Sequence, residues 1–193
     1  MELSNLARAY AAIDQANSAD PRRTAEGEAY ELVYGRRMTA VLTDFAPAAA
    51  PPLQIAARAQ HLERWVLPRT DYPMDRVGYL RWRNDQKKRH AARAAELLEP
   101  LGFSAATIAR IQFLLEKKQL KKDPDTQTLE DVICLVFLRY YALDFAADHP
   151  EEKVIDILRK TWAKMSEAGH AAALEAPLPP VVKTLVEKAL ADG

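Results

Sequence analysis

Four residues have the side chains and the positions that metal chemistry needs. His61 lies in a mostly apolar helical segment, His90 follows a basic stretch, and Glu130 and Asp131 precede the most apolar run of the chain. Imidazole nitrogens and carboxylate oxygens bind divalent metals, and crossing helices can aim such ligands at one point. We therefore predict a divalent transition metal (Mn, Fe, Co, Ni or Zn) bound by His61, His90 and Asp131, with Glu130 as the alternative to Asp131.

Such a metal would act by lowering the pKa of a bound water and so generating hydroxide near neutral pH. Glu130 or Glu63 is predicted to orient or deprotonate this water. Each residue also has a structural interpretation. A histidine on an apolar helix face is often a hydrogen-bonded core residue, and an acid at a helix start is stabilised by the helix dipole.

The segment 68–93 combines basic and aromatic side chains. Between Arg76 and Arg93 there are seven basic residues and one acid, Asp85. Guanidinium groups bind phosphate oxygens in a bidentate way, and aromatic rings stack on bases. A solvated helix face beside core aromatic anchors is the structural alternative. The residues predicted to contact a phosphorylated ligand are Arg69, Arg76, Tyr79, Trp82 and Arg83.

Composition indicates that helices position these residues. The chain of 193 residues has 34 Ala and 23 Leu but only 26 Val, Ile and Thr together, and six Gly. Helix formers therefore outnumber the β-branched residues that sheets prefer. We predict an all-α, single-domain multi-helix bundle over residues 1–193.

The apolar periodicity and the punctuation by Pro and Gly give the approximate bounds of the helices. The apolar run VICLVFL is assigned to a helix, although its branched residues alone could suggest a strand, because no turn signal interrupts its flanks. The first predicted helix begins at Ser4 and ends before Asp20, and another begins at Ser104. The other predicted helices cover 28–45, 53–65, 76–98, 126–148, 150–165 and 181–191.

Charge and cysteine content exclude several classes of protein. The 27 basic and 27 acidic residues balance, which argues against a binder of long nucleic acids or of membrane surfaces. The single cysteine, Cys134, excludes an internal disulfide. The N-terminal sequence lacks the features of a signal peptide, and the longest apolar run has seven residues, so we expect a cytoplasmic protein.

The sequence resembles an uncharacterised family, the domain-of-unknown-function family 4202. The segments that carry the resemblance are AARAQHLERWVLPRTDYPMDRVGYLRWR, the lysine-rich approach to His90, LEDVICLVFLRYY and EEKVIDILRKTWAKMSEAGH. The resemblance covers nearly the whole chain. It implies no activity, because the family has none that can be transferred.

A more distant resemblance is to the HD-domain metal-dependent phosphohydrolases, which are all-helical and bind metal through His and Asp. YGRRMTAVL resembles their first metal-binding helix, with Tyr34 where the family has His. AARAQHLERW resembles the next, with His61 matching the His and Leu62 replacing the Asp. His90 matches a later His, and Asp131 or Glu130 would have to replace the last acid. The resemblance therefore implies an HD-domain-like architecture with an altered ligand set.

Two functions follow from these observations. The first is a metal-dependent phosphohydrolase that acts on a nucleotide or another small phosphorylated compound. The alternative is a non-catalytic helical protein that binds a nucleotide-like ligand or a protein partner through the segment 68–93.

Overall fold

The structure, a computed structural model, describes residues 4–191, and within this range it is helical without any strand. An isolated backbone bridge between Arg23 and Ala29 is the one β-type pairing that it records there. The predicted all-α class is confirmed. Contacts group the chain into two compact units, Met1–Gln119 and Leu120–Gly193. The single domain predicted for residues 1–193 stays a prediction.

In the described part of the first unit there are five α-helices, and three of them begin at a side-chain cap. Side chains of Ser4, Asp75 and Ser104 accept hydrogen bonds from the backbone N–H groups that open α1, α4 and α5. The helix predicted for 76–98 has those bounds. The five helices are α1 (Asn5–Asn17), α2 (Tyr30–Phe45), α3 (Pro51–Arg58), α4 (Arg76–Leu98) and α5 (Ala105–Leu115).

The third helix ends earlier than predicted. The prediction continued it to residue 65, but it stops at Arg58 and the chain turns, with Glu63 in the left-handed region at φ 49°. Short 3-10 helices follow at Arg64–Val66 and Arg69–Asp71. No Gly or Pro marks this turn. The Asn17 side chain supports it by accepting a hydrogen bond from the Glu63 N–H at 2.8 Å.

The core of the first unit is formed by the apolar stripes of these helices. Three small residues, Ala56, Ala57 and Ala59, are fully buried at the end of α3 and in the turn behind it, where they allow close packing. Burial of such stripes supplies most of the stability of a helical protein. Large side chains that are fully buried here include Ile13, Met38, Leu42, Leu53, Ile55, Leu62, Leu98, Ile111, Leu114 and Leu115.

The second unit, as far as residue 191, also contains five α-helices. The run VICLVFL lies inside α6, so the choice of helix over strand is confirmed. The five helices are α6 (Pro124–Tyr140), α7 (Ala142–Ala147), α8 (Glu151–Trp162), α9 (Glu167–Glu175) and α10 (Pro180–Ala191). None of the helices in the described part of the chain is long and apolar enough to cross a membrane.

The bounds in this unit differ from the prediction at two places. The helix predicted for 126–148 is interrupted at Tyr141, where φ is −128°, although the Tyr141 N–H still donates to the Phe137 carbonyl oxygen at 2.9 Å. The helix α9 was not predicted. It begins at the cap Ser166, whose hydroxyl accepts from the Gly169 N–H at 3.0 Å. The segment SEAGHAAALE has weak apolar periodicity, which is why the sequence alone did not reveal it.

Candidate functional site

His61 lies at the centre of a polar cluster in the first unit. Its Nδ1–H donates to Glu31 Oε2 at 3.0 Å, and its Nε2 accepts from Arg64 Nη1 at 2.9 Å. This pattern requires a neutral ring protonated on Nδ1. The ring of Tyr34 stacks on the imidazole at 3.7 Å between centroids. Tyr34 is the residue that takes the histidine position in the HD-domain resemblance.

Burial sets the protonation state of this cluster. Burial and the neighbouring Arg64 cation lower the pKa of His61 to about 4, against the attraction of Glu31. Burial alone would raise the pKa of Glu31, but its interactions with His61 and Arg22 lower it. At neutral pH the cluster therefore contains a carboxylate and an uncharged imidazole.

Arg22 connects Glu31 to a second buried carboxylate. Its Nη2 lies 2.7 Å from Glu31 Oε1 and 2.9 Å from Asp20 Oδ2, and both carboxylates are at most 1% exposed. Asp20 also accepts from the backbone N–H of Glu31 at 3.1 Å. Arg22 thus faces two buried carboxylates with a single positive charge, and the three side chains together have a net charge of −1.

Arg64 is a cation that no carboxylate in the described part of the chain contacts directly. Its guanidinium lies over the ring of Trp82, 4.7 Å from the centroid, and donates to His61. Among the residues that the structure describes, no carboxylate forms an ion pair with it. Burial lowers the pKa of Arg64, with attraction from Glu31 and repulsion from Arg83 as further contributions. An anion at this position would therefore be stabilised.

His90 lies near both Arg64 and His61. The predicted metal site requires His90 to be close to His61. The centroids of the His90 and His61 rings are 6.3 Å apart. His90 is buried, and within residues 4–191 its Nε2 has no hydrogen-bond partner. Burial and the nearby His61, Arg64, Arg89 and Lys117 lower the pKa of His90 well below its usual value. A buried imidazole nitrogen without a partner marks a place where a ligand or water would be stabilised.

The predicted ligand Asp131 has structural contacts in the second unit. Its carboxylate accepts from the N–H and the hydroxyl of Ser166 at 2.8 and 2.6 Å, and from Gln127 Nε2 at 3.1 Å. A Cβ added to Gly169 would lie 2.6 Å from its Oδ1. These contacts hold the start of α9 against α6.

The described side chains do not fit the predicted metal. Both ring nitrogens of His61 already have partners, and Asp131 is bound by Ser166 and Gln127. Between residues 4 and 191, no group of three or more His, Cys, Asp or Glu side chains is arranged to hold a metal ion. The assignment of His61, His90 and Asp131 as ligands stays a prediction, and we derive no chemical step through a metal.

The two acids predicted to act on water have different surroundings. Glu63 pairs with Arg89 at 3.1 Å and with Arg93 at 3.0 Å, which stabilises the turn after α3. Glu130 is buried in α6. The catalytic roles predicted for both stay predictions.

The residues predicted to bind phosphate divide into those that hold the fold together and those that a ligand can reach. Arg69 donates to the carbonyl oxygens of Tyr72 and Pro73 at 3.0 and 2.7 Å, so its guanidinium organises the loop before α4. Arg76 is exposed at the start of α4. Arg83 lies over the ring of Tyr79 at 5.7 Å from the centroid, and Tyr79 is 43% exposed. Arg83 and Tyr79 are therefore accessible to a ligand.

Trp82 is an anchor and not an exposed stacking surface. It is buried, and its indole Nε1–H donates to the carbonyl oxygen of Leu67 at 2.9 Å. Gln86, one turn further along α4, donates to the same oxygen and to that of Arg64. The side chain of Trp82 thus fixes the segment that presents Arg64.

Sequence reasoning missed three members of the cluster: Arg22, Glu31 and Arg64. Arg64 follows Glu63 in AQHLERW, and a basic residue in a mostly buried segment was a signal that the sequence contained. Glu31 and Arg22 gave no such signal, because their contacts depend on a loop that folds back over 9 to 30 residues.

Comparison with known proteins gives one match. The family model described as domain of unknown function DUF4202 matches residues 7–186. No curated protein and no solved structure matches the chain significantly.

Proposed function

The chain belongs to the DUF4202 family, and we propose from the geometry of its own residues that it binds a small phosphorylated compound of the nucleotide type. The phosphate lies against Arg64, with Arg83 as a second cation. The base or another flat group lies on the exposed ring of Tyr79. This is the binding function that the sequence analysis gave as its alternative, with Arg64 added as the main phosphate contact.

The observation that carries the proposal is the Arg64 guanidinium. It is half-buried, is held in place by Trp82 and His61, and forms no ion pair with any carboxylate in the described range. The guanidinium N–H groups that do not donate to His61 can therefore donate to an anion. Phosphate fits because guanidinium N–H groups match its oxygens, and the unpartnered Nε2 of buried His90 lies nearby as a further polar contact.

The aromatic side of the proposal depends on Tyr79. Two guanidinium groups lie near its ring, that of Arg83 at 5.7 Å and that of Arg69 at 6.0 Å from the centroid. A half-exposed ring beside cations can stack a nucleobase while the cations contact the phosphate. The proposed ligand is therefore a nucleoside phosphate and not an isolated phosphate ion.

Isothermal titration calorimetry with adenosine, AMP, ATP and inorganic phosphate tests the proposal. We expect AMP or ATP to bind and adenosine to bind much more weakly. Arg64→Ala should raise the Kd of the nucleotide by about 10- to 100-fold, the equivalent of a hydrogen bond to a charged group. Arg64→Lys should lose part of this affinity, because an ammonium cannot bind bidentately.

Lys88→Ala is the matched control, because Lys88 is an exposed cation on the same helix. It should leave the Kd unchanged. Adenosine binding as tightly as AMP, or an unchanged Kd in Arg64→Ala, would contradict the proposal. Circular dichroism confirms in each case that the variant is folded.

Hydrolysis of the bound compound is a second candidate, favoured by the contact between Glu31 and His61. A carboxylate that holds a neutral imidazole by Nδ1–H leaves Nε2 as the proton acceptor. If a phosphate accepts the hydrogen bond that Arg64 now donates to His61, the His61 Nε2 loses this donor. It can then accept a proton from an attacking water. The metal-dependent form of this reaction, which the HD-domain resemblance implies, remains part of this second proposal.

Phosphate release from AMP or ATP, measured with and without Mn²⁺, Co²⁺ or Ni²⁺, tests the second candidate. His61→Ala should abolish release while nucleotide binding through Arg64 persists. Absence of phosphate release under all these conditions would leave binding as the function and refute hydrolysis of these nucleotides.

A further inference from the structure

The start of α4 and the loop before it expose aliphatic side chains. Met74, Val77 and Leu80 have 78%, 74% and 50% of their surface exposed. Val77 and Leu80 lie beside the exposed Arg76 and Arg81 on the helix surface, because residues three or four apart are neighbours there. We call Met74, Arg76, Val77, Leu80 and Arg81 the basic face.

The support of the basic face is rigid. Arg69 donates to the carbonyl oxygens of Tyr72, Pro73 and Asp75. A Cβ on Gly78 would lie 2.1 Å from the Pro73 carbonyl oxygen, so the loop packs directly on the helix backbone. The backbone that presents the aliphatic side chains is thus held in place, while the side chains themselves are exposed. Such preorganisation reduces the entropy lost when a partner binds.

The charge of this face indicates what it can bind. Arg76 and Arg81 form no ion pair with a carboxylate of residues 4–191. The carboxylate of the neighbouring Asp85 accepts from the Tyr72 hydroxyl at 2.9 Å. A partner that covers the basic face must therefore bring carboxylates next to an apolar contact. A second basic face would be repelled.

The helix α7 and the residue that follows it expose carboxylates beside an apolar side chain. Leu143 is 43% exposed, and Asp144 and Asp148 are exposed one turn apart beside it. Neither aspartate forms an ion pair with any cation that the structure describes. We call Leu143, Asp144 and Asp148 the acidic face.

We propose that the protein associates with a second copy of itself, the basic face of one molecule contacting the acidic face of the other. The apolar contact joins Val77 and Leu80 to Leu143, and the arginines meet the aspartates. The faces are small, so the association is weak and sensitive to salt. This inference is independent of the proposed nucleotide site.

Sedimentation equilibrium of the full chain tests the inference. We expect the average mass to rise with concentration up to about 0.5 mM at low salt, and this rise to disappear at about 0.5 M NaCl. A mass that stays that of a monomer at every concentration would overturn the proposal. Binding of such a monomer to phosphatidylserine vesicles through the basic face would show that lipid is the partner instead.

A charge exchange between the two faces gives the sharper test. R76E/R81E has two acidic faces, and D144R/D148R has two basic faces, so each variant alone should associate at least about tenfold more weakly than the wild type. Their equimolar mixture should associate again, because an acidic face of one meets a basic face of the other. Variants that associate like the wild type, or a mixture that stays monomeric, would overturn the proposal. Arg8→Glu, a charge reversal at an exposed residue of α1, should leave association unchanged.

Discussion

Arg58 and Arg64 lie six residues apart and have similar aromatic contacts but different polar partners. The Arg58 guanidinium lies 5.1 Å from the centroid of Tyr10, and that of Arg64 lies 4.7 Å from the centroid of Trp82. Arg58 forms a bidentate pair with Asp14, at 2.7 and 2.6 Å. Arg64 has a neutral imidazole as its polar partner.

The comparison separates an arginine that stabilises the fold from one that is available for a ligand. A buried cation whose hydrogen bonds and charge are satisfied contributes to stability, and removing it leaves the partner uncompensated. A cation without a directly paired carboxylate contributes less to stability and keeps hydrogen-bond donors for a ligand, which is typical of functional sites. The four predictions below test this distinction, from the largest expected effect to the smallest.

Arg58→Ala should have the largest effect on stability. It leaves Asp14 without its cation and Thr39 without a donor, and we expect the free energy of unfolding to fall by about 3 kcal/mol. Urea unfolding followed by circular dichroism measures the loss. Arg8→Ala, at an exposed site on α1, should change it by less than about 0.5 kcal/mol. Similar values for both variants would remove the structural role of Arg58.

Asp131→Ala applies the same distinction to a predicted metal ligand. The loss of three hydrogen bonds to Ser166 and Gln127 should lower the free energy of unfolding by about 2–3 kcal/mol. If these contacts are the whole role of Asp131, the loss is the same with and without Mn²⁺. A wild-type protein that Mn²⁺ stabilises, beside a variant that it does not, would instead support the metal assignment.

Acidification should destabilise the cluster around Arg64. The pKa of His61 is about 4 in the folded chain and about 6.5 when unfolded, so the unfolded chain binds more protons between these values. Stability is therefore highest above pH 6.5 and falls as the pH decreases toward 4, by about 2 kcal/mol at pH 5. The lowered pKa of His90 acts in the same direction.

Urea unfolding of the wild type and His61→Gln across this pH range measures the effect. The variant should show a flatter pH dependence, because one of the two titrating imidazoles is removed. Equal slopes would mean that the pKa of His61 does not differ between the folded and unfolded chain.

Arg64→Ala should have the smallest effect on stability. The variant loses a hydrogen bond to His61 and the contact with Trp82 but breaks no ion pair with a carboxylate of the described residues. We expect a change of less than about 1 kcal/mol in urea unfolding. A loss as large as that of Arg58→Ala would make Arg64 a structural residue and weaken the proposed function.

The helices with clear periodicity and caps were predictable from the sequence. The fourth helix has the predicted bounds, because Asp75 caps it and Pro100 follows its end. The turn after α3 was not predictable, because Glu63 adopts left-handed backbone without Gly and is held by Arg89 and Arg93 from α4. Contacts with a helix that is distant in the chain leave no pattern in the sequence of the turn itself.

The candidate site was predictable only in part. The sequence pattern predicted that His61 and His90 lie together, and the centroids of their rings are 6.3 Å apart. It did not identify Arg64, because the lack of a directly paired carboxylate depends on long-range packing. It also grouped Asp131 with the histidines, whereas the partners of that carboxylate are Ser166 and Gln127.

The contact between Arg64 and Trp82 also makes the protein its own optical reporter. Indole emission depends on the charge near the ring, and here the guanidinium lies over the ring face while Nε1–H is fixed to the Leu67 carbonyl oxygen. A ligand that draws Arg64 toward its phosphate would change the emission of Trp82 without any label. With Trp65 and Trp162 replaced by Phe, the change in intensity would report occupancy of the site directly.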